Sequence, residues 1–209
     1  MFAKRYTKLL LLLVLSTIPT LTPARASIDS SIPNPAQPFS ESEWAAILRE
    51  TKVFANVKIS VRDAIEIAER RTSGAKAVDV SFDGQADRLA YRVKTYRHDE
   101  VWLGTIDAST GKIIGEEIAT PVSALNDKDK VDLAGFSTAG IDLSDVVPIA
   151  EKYGNGKALS VGLEQENGRL IFLVVLVADG TLRQISLDPS AKESRPRTVP
   201  GGKRRSSFH

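Results

Sequence analysis

The sequence predicts an α+β fold built from two tandem repeats, each an N-terminal helix packed on an antiparallel β-meander of three to four strands. Two observations lead to this prediction. Apolar residues with helical spacing give way to strict alternation near residue 78, and the same change recurs near residue 159. The alternating residues of the two stretches align without a gap at an offset of about 81 positions, and their turns coincide, which indicates a duplication.

The first repeat is assigned to 57–118. Ser60 is a favourable N-cap, and the helix that follows is expected to end at Ser73-Gly74, where glycine can adopt a left-handed conformation. Period-two patterning then predicts two strands joined by a turn through Asp83-Gly84. A third strand is expected over 101–106, and the turn 107–112 leads into a short apolar strand at Ile113-Ile114.

The second repeat is assigned to 141–191. Asn167-Gly168 and Asp179-Gly180 are strong hairpin signals at the positions where the first repeat turns. Pro148 lies early in the predicted helix, so this helix is expected to begin late or to kink. The segment after Asp188 lacks the Thr-Gly pair that closes the first repeat.

Two motifs of the first repeat carry a family resemblance. The central strand contains Tyr91-x-Val93, and the last turn reads Ile106-Asp107-x-x-Thr110-Gly111-Lys112-Ile113. Together with the order of elements, these motifs resemble the PepSY domain, which occurs in propeptides of secreted thermolysin-like metallopeptidases and in exported or membrane-tethered proteins. The resemblance implies a non-enzymatic interaction module of the cell envelope that acts on a peptidase or another protein by covering its surface.

The first 26 residues have the pattern of a secretory signal peptide. Lys4, Arg5 and Lys8 precede an apolar run, and Ala24-Arg25-Ala26 is a small-x-small cleavage pattern. A retained anchor is the alternative, but the run is shorter than the ~20 residues that span a bilayer. The sequence therefore predicts a periplasmic or secreted protein, cleaved after about Ala26, with no transmembrane segment thereafter. The absence of cysteine excludes disulfides and a lipid-bearing thiol.

Charge is distributed unevenly along the chain. Removing the four basic residues of the leader changes the formal net charge from +2 to −2, because 24 basic residues then face 26 acidic ones. Basic residues concentrate in 192–209, which is predicted to be a disordered tail capable of weak contact with an anionic surface or an acidic partner. No feature predicts binding to nucleic acid.

Two segments flank the first repeat. Within 27–56, a proline-rich lead-in precedes a Ser40–Glu43 capping box and a Phe39–Trp44 hydrophobic staple, which predict a short helix ending near Glu50. The segment 119–140 contains Pro121, Asn126-Asp127 and Gly135, and it is predicted to be a linker with little regular structure.

The central strands of the two repeats differ in their second face. In the first repeat this face carries Arg92, Lys94 and Tyr96 and is expected to be half-solvated, whereas in the second it is apolar from residue 171 to residue 177. Something must cover the apolar face. The Trp44 helix is the expected cover, and the other repeat or a partner protein are the alternatives.

Catalytic and metal-binding patterns are not found. His98 and His209 are the only histidines, and the sequence contains no HExxH, GxSxG or P-loop motif. Asp127, Asp129 and Asp132 approach calcium-ligand spacing, but lysines intervene and no bidentate glutamate follows. We therefore predict that the protein is not an enzyme and that it holds no cofactor or metal.

The strongest candidate for recognition is a basic and aromatic surface of the first repeat. Four of its residues come from the central strand and its end, and the fifth from the next strand: Arg92, Lys94, Tyr96, Arg97 and Trp102. Such a surface can bind an acidic peptide edge, and a solvated face with Trp102 packed under the linker is the alternative. The predicted function is an exported protein-interaction module that inhibits or regulates a peptidase in the envelope. The alternative is a periplasmic sensor or carrier with a small or lipidic ligand between the repeats.

Overall fold

The computed structural model describes residues 41–84, 88–189 and 197–199. These residues form four α-helices, a 3-10 turn at Val122–Ala124 and eight strands. The helices are α1 (Glu41–Phe54), α2 (Val61–Arg71), α3 (Asp127–Ala139) and α4 (Leu143–Gly154). The strands are β1 (Lys76–Asp83), β2 (Ala90–Arg97), β3 (Glu100–Asp107), β4 (Ile113–Pro121), β5 (Lys157–Glu166), β6 (Arg169–Ala178), β7 (Thr181–Leu187) and β8 (Arg197–Val199).

All eight strands lie in one antiparallel sheet with the order β4-β3-β2-β1-β5-β6-β7-β8. The predicted α+β fold is confirmed, and the two repeats stand side by side in the sheet. They meet where β1 pairs with β5, and Val80 is paired there with Val161, its equivalent in the other repeat. Asp79 pairs with Gly162 and Ser81 with Ser160. Equivalent strands therefore run antiparallel about a local two-fold axis at this pair.

The strand registers of the two repeats also agree. The pairing of β1 with β2 shifts between Ala77 and Asp79, and that of β5 with β6 shifts between the equivalent residues Ala158 and Ser160. A shift of this kind is the mark of a β-bulge, which bends and twists the strand. Both repeats therefore have the same irregularity at the same position, and their backbone pairing is duplicated as well as their sequence pattern.

Strand β8 corrects the prediction that 192–209 is entirely disordered. Val199 pairs with Gln184, just as Ile118 in β4 pairs with Leu103, and both residues of the second pair lie 81 positions earlier. The second repeat therefore continues past residue 191. The physical reason is that β8 is the copy of β4 and satisfies backbone groups along the outer side of β7.

The shared core lies between one face of the sheet and helices α2 and α4, which also contact each other. Many side chains of this core are fully buried. The largest of them are Tyr91, Phe82, Phe172, Ile65, Ile106, Leu143, Leu159, Leu163, Leu176 and Ile185. Each such side chain stabilises the fold by about 1.5–3 kcal/mol relative to an exposed position. One continuous core explains why a chain without disulfides can sustain this fold.

Both core helices begin at a capping residue. The hydroxyl of Ser60 accepts a hydrogen bond from the Asp63 amide at 3.1 Å, and the Asp63 carboxylate accepts one from the Ser60 amide at 2.9 Å. The Ser60 hydroxyl also donates to Oδ2 of Asp63 at 2.6 Å, and this bond and the one from the Ser60 amide hold the pKa of Asp63 below its usual value. In the second repeat, α4 begins at Leu143 after the N-cap Asp142, so the expected late start is wrong. Pro148 lies inside the helix, where it cannot donate the bond to the preceding turn, and the helix is held by its buried face.

A glutamate links each core helix to the first strand of its own repeat. The Oε1 atom of Glu69 accepts a hydrogen bond from the Ala77 amide at 2.9 Å, and Oε1 of Glu151 accepts one from the Ala158 amide at 2.8 Å. Burial raises the pKa of Glu69, while the bond from Ala77 acts in the opposite direction. Each bond falls at the bulge, so it fixes the helix at the point where the strand bends.

Helix α3 corrects the prediction of an irregular linker over 119–140. The Asn126 side chain accepts a hydrogen bond from the Asp129 amide at 2.9 Å, and Gly140 ends the helix with φ of 67°. The helix packs on the β5–β6 hairpin through Phe136, whose ring centroid lies 6.3 Å from that of Phe172. A Cβ at Gly135 would lie 3.3 Å from the Cβ of Leu170, so glycine permits the close approach.

Helix α1 is longer than predicted. It ends at Phe54, whose ring packs edge-on against Phe82 with centroids 5.1 Å apart. The Oε1 atom of Glu50 accepts a hydrogen bond from the Gly84 amide at 3.0 Å. These contacts attach α1 to the end of β1. The side chain of Trp44 lies outside the part of the chain that is described, so its docking on residues 171–177 stays a prediction.

The sequence also predicted a covered face on β6, a capped start for α1 and a leader at 1–26. Ile171, Leu173 and Val175 are buried, which confirms that the apolar face of β6 is covered. The capping box and staple involve Phe39 and Ser40, which lie outside the described residues, as does the predicted leader at 1–26. None of the helices that the structure describes is long and apolar enough to cross a membrane.

The anchoring of α1 gives a stability prediction. Phe54→Ala removes a buried ring and its contact with Phe82, so we expect a loss of about 3 kcal/mol in the free energy of unfolding, measured by urea titration. Leu48→Ala is the matched control, because Leu48 lies in the same helix and is exposed; its effect should stay within about 0.5 kcal/mol. Similar losses for both variants would contradict the assignment of Phe54 as the anchor.

Candidate partner-binding surface

The register of β2 and β3 separates the five predicted site residues. Cross-strand partners point to the same face of a sheet, and Thr95 pairs with Trp102 whereas Lys94 pairs with Leu103. Trp102 therefore faces α2 together with Thr95. Arg92, Lys94 and Tyr96 alternate with these residues and lie on the opposite face. The structure does not bring Trp102 together with the basic side chains.

The two basic residues within β2 form ion pairs with β1. Nη2 of Arg92 lies 2.9 Å from Oδ2 of Asp83, and Nζ of Lys94 lies 3.4 Å from Oδ2 of Asp79. The Lys94 side chain is only 16% exposed and that of Asp79 7%, which corrects the expectation that Lys94 is solvated. Arg92 is 51% exposed, so it remains accessible to a partner.

Tyr96 and Arg97 lie at the end of β2, next to the turn into β3. Both are half-buried, and Tyr96 packs at the margin of the core. His98 follows in the turn with φ of 52° and is exposed, which confirms its expected position in a solvated turn. These residues can contact a partner at the end of the sheet, but they form no pocket with Trp102.

Trp102 instead lines a small, shallow cleft between the end of α2 and the outer strands of the first repeat. Its lining is apolar with a polar margin, and consists of Ala68, Arg71, Thr72, Val93, Thr95, Trp102, Gly104, Ile106 and Ile113. The absence of a side chain at Gly104 leaves space beside the indole ring. The sequence does not predict that residues of α2 line this cleft, because that depends on how the helix crosses the sheet.

Strand β4 borders this cleft and is the end strand of the sheet as described. Its pairing with β3 shifts between the pairs Leu103–Ile118 and Thr105–Ile114, so β4 has two extra residues there. Gly115 takes φ of 84° within this irregular part, a conformation that suits glycine. Beyond it the side chain of Ile118 is 58% exposed. We name the cleft residue Trp102 together with Ile113 and the strand 118–121 the β4 edge site.

The motif residues of the first repeat have structural roles. Tyr91 is fully buried, its hydroxyl donates to the Ile59 carbonyl at 2.8 Å, and burial raises its pKa. Oδ1 of Asp107 accepts hydrogen bonds from the amides of Ser109 and Thr110 at 2.9 and 2.8 Å. Gly111 closes this turn with φ of 71°. The motif therefore fixes the hairpin that leads into β4.

The acidic residues of α3 do not converge on a cation. The ammonium of Lys128 lies 2.8 Å from Oδ2 of Asp132 and 3.2 Å from Oε1 of Glu164, so a lysine takes the position that an ion would need. Within the described parts of the chain, no group of three histidine, cysteine or acidic side chains is placed to hold a metal.

Comparison with known proteins bears on the family. A family model described as PepSY, the peptidase propeptide and YPEB domain, matches residues 58–117. The predicted resemblance to PepSY is confirmed for the first repeat. The match runs from the residues before α2 into β4, and so covers the helix, the first three strands and the first half of the fourth.

Among solved structures, a chain described as a "putative lipoprotein" from Clostridium difficile 630 is 19% identical, with 68% of this chain and 95% of that chain covered and a TM-score of 0.39. No curated protein matches the sequence.

The ion pairs on β2 give a second stability prediction. Lys94→Val removes the ammonium beside the buried Asp79 carboxylate, and the loss of one partner of a buried pair is expected to cost about 3 kcal/mol of unfolding free energy. Arg62→Ala is the control, because its ion pair with Glu66 is exposed on both sides and should contribute at most about 1 kcal/mol. Urea titrations that give equal losses would show that Asp79 does not depend on Lys94.

The Asp107 turn gives a prediction for acid unfolding. The amides of Thr110 and Ser109 hold the pKa of Asp107 below its ordinary value of 3.8. A lowered pKa in the folded state contributes stability above pH 3.8, and this contribution is lost as the pH falls through the folded-state pKa. Asp107→Asn should therefore be less stable than the wild type at neutral pH, and the difference should disappear in strong acid. A difference that is constant across urea titrations from pH 7 to pH 2 would contradict this origin.

Proposed function

We propose that the protein is an exported, non-enzymatic interaction module that regulates a peptidase of the cell envelope by covering part of its surface. The observation that carries the proposal is the PepSY match over residues 58–117, because that family is described as a peptidase propeptide domain. The matched residues contain α2, the first three strands and the first half of β4. A unit of this kind supplies a surface for contact with another protein.

The character of the first repeat supports the proposal. The β4 edge site combines a half-exposed aromatic ring with an exposed strand, and protein interfaces are enriched in aromatic residues at their centres. On the opposite face of the sheet, the half-exposed Arg92 adds a charge that can orient a partner. The motif residues Tyr91 and Asp107 are engaged in supporting this scaffold.

Export is the second part of the proposal, and the sequence supports it. The basic residues, apolar run and small-x-small pattern within 1–26 are typical of a secretory signal peptide. A cysteine-free chain is compatible with an oxidising compartment, because it offers no thiol to oxidise. We place the mature protein in the periplasm or outside the cell.

The alternative, a carrier with its ligand between the repeats, has less support. The repeats meet through backbone pairing of β1 with β5, and Val80 and Val161 at this junction are fully buried. The cleft described above lies within the first repeat. A carrier would need a closed apolar cavity at the junction of the repeats, and the packing of the described residues there favours the interaction module.

The decisive experiment is an inhibition assay. The mature chain, residues 27–209, is titrated against a thermolysin-like metallopeptidase that cleaves a fluorogenic peptide, and we expect saturable inhibition. Trp102→Ala should weaken inhibition about tenfold, because truncating an aromatic residue at the centre of an interface typically costs 1–2 kcal/mol or more. Tyr153→Ala, an exposed aromatic residue on α4 of the second repeat, should leave it unchanged.

A control separates inhibition from competition by a slowly cleaved substrate. Mass spectrometry of the reaction should show the mature chain intact while the fluorogenic peptide is protected. Protection that lasts only as long as the chain survives would identify it as a substrate. Unchanged peptidase activity at saturating chain would exclude the peptidase as the target.

A further inference from the structure

We propose that the β4 edge site binds an extended peptide segment of the partner protein, which joins the sheet as a further strand beside β4. This inference rests on the proposed function, since it assumes that the chain acts by binding a protein. It specifies the mode of binding and the chemistry of the segment: alternating apolar residues with basic ones beside them. Three features of the first repeat support it.

The first feature is the backbone of β4. In the order of described strands β4 has a neighbour only on the β3 side, so alternate amide and carbonyl groups point away from the sheet. Nine residues, Ile113–Pro121, form this strand. An extended peptide satisfies such a row of donors and acceptors, as in other cases of strand addition.

The second feature is the side-chain environment on both faces of the edge. Ala119 pairs with Trp102 and therefore lies on the cleft side, whereas Ile118 pairs with Leu103 and lies on the other side. Ile118 and Ala119 are both exposed. A strand added along 118–121 would direct alternate side chains toward the indole ring of Trp102 and toward Ile118. Both positions favour apolar residues.

The third feature is charge. The exposed acidic residues Asp99 and Glu100 lie at one end of this edge, where Glu100 pairs with Pro121, and the sequence of β4 contains two further glutamates, Glu116 and Glu117. This excess of acidic residues favours a segment with lysine or arginine beside its apolar centre. It also disfavours a second copy of this chain, because both of the paired β4 strands would then be acidic.

The test uses the full mature chain and peptides selected for binding to it. A displayed library of random twelve-residue peptides is selected on the immobilised chain, and the recovered peptides are labelled and titrated by fluorescence anisotropy. We expect alternating apolar residues with basic ones beside them. Ile118→Lys, which places a charge on the edge strand, should weaken binding at least tenfold. Val131→Lys is the matched control, since Val131 is 55% exposed on α3, and it should change binding less than twofold.

Backbone methylation tests strand addition directly. N-methylation at alternate peptide residues removes the amide donors that face β4, so one alternating set should abolish binding and the other should be tolerated. Equal tolerance of both sets, selected peptides without alternation, or equal binding by Ile118→Lys and the wild type would each overturn the proposal. So would a dimer of the mature chain, detected by sedimentation equilibrium and abolished by Ile118→Lys, because a second copy would then occupy the edge.

The outcome is separable from that of the inhibition assay. If Ile118→Lys still inhibits the peptidase with wild-type strength, the proposed function stands and the edge proposal fails. If peptides bind in the alternating pattern while the peptidase is unaffected, the edge proposal stands and peptidase regulation fails. Melting temperatures of both lysine variants near that of the wild type would confirm that each effect is local.

Discussion

The fold depends on one interaction, the antiparallel pairing of β1 with β5 around Val80 and Val161. This pairing makes one eight-stranded sheet of two four-stranded meanders, and it places α2 and α4 in contact on one face. Without it each repeat would present an open β1-type edge and half of a core. A larger shared core buries a larger fraction of the apolar surface that the chain exposes when unfolded.

Local periodicity predicted the helices and strands of both repeats, because the spacing of apolar residues that is typical of a helix or a strand is visible within a few consecutive residues. The capped start of α2 and the strands of the first repeat follow directly from Ser60 and the alternating residues. Helix α3 was not predictable in this way. Its sequence begins with alternating charges and contains Gly135, and its stability comes from Phe136 packing on Phe172, a residue far along the chain.

The candidate site was predicted in part, and the error has a definite cause. Sequence alternation identifies which residues of one strand share a face, but relating two strands requires their register, which the turn at 97–100 sets. Thr95 opposite Trp102 places the indole on the cleft side, away from Arg92 and Lys94. The ion pairs had a visible signal, because Asp79 and Asp83 alternate with the core-facing residues of β1 just as Arg92 and Lys94 do in β2. The register of β1 against β2 is needed to tell which acid lies beside which base.

The two repeats differ by a coupled change at one cross-strand pair. Asp79 pairs with Lys94 in the first repeat, and the equivalent pair in the second is Ser160 with Val175, so both members of a buried ion pair are replaced by a small hydroxyl and an apolar residue. Exchanging both partners together avoids leaving an uncompensated charge in the interior. The second repeat is thereby apolar on both faces of β6, which are both buried. The first repeat keeps charged side chains on the corresponding face of β2 and a half-exposed tryptophan on β3.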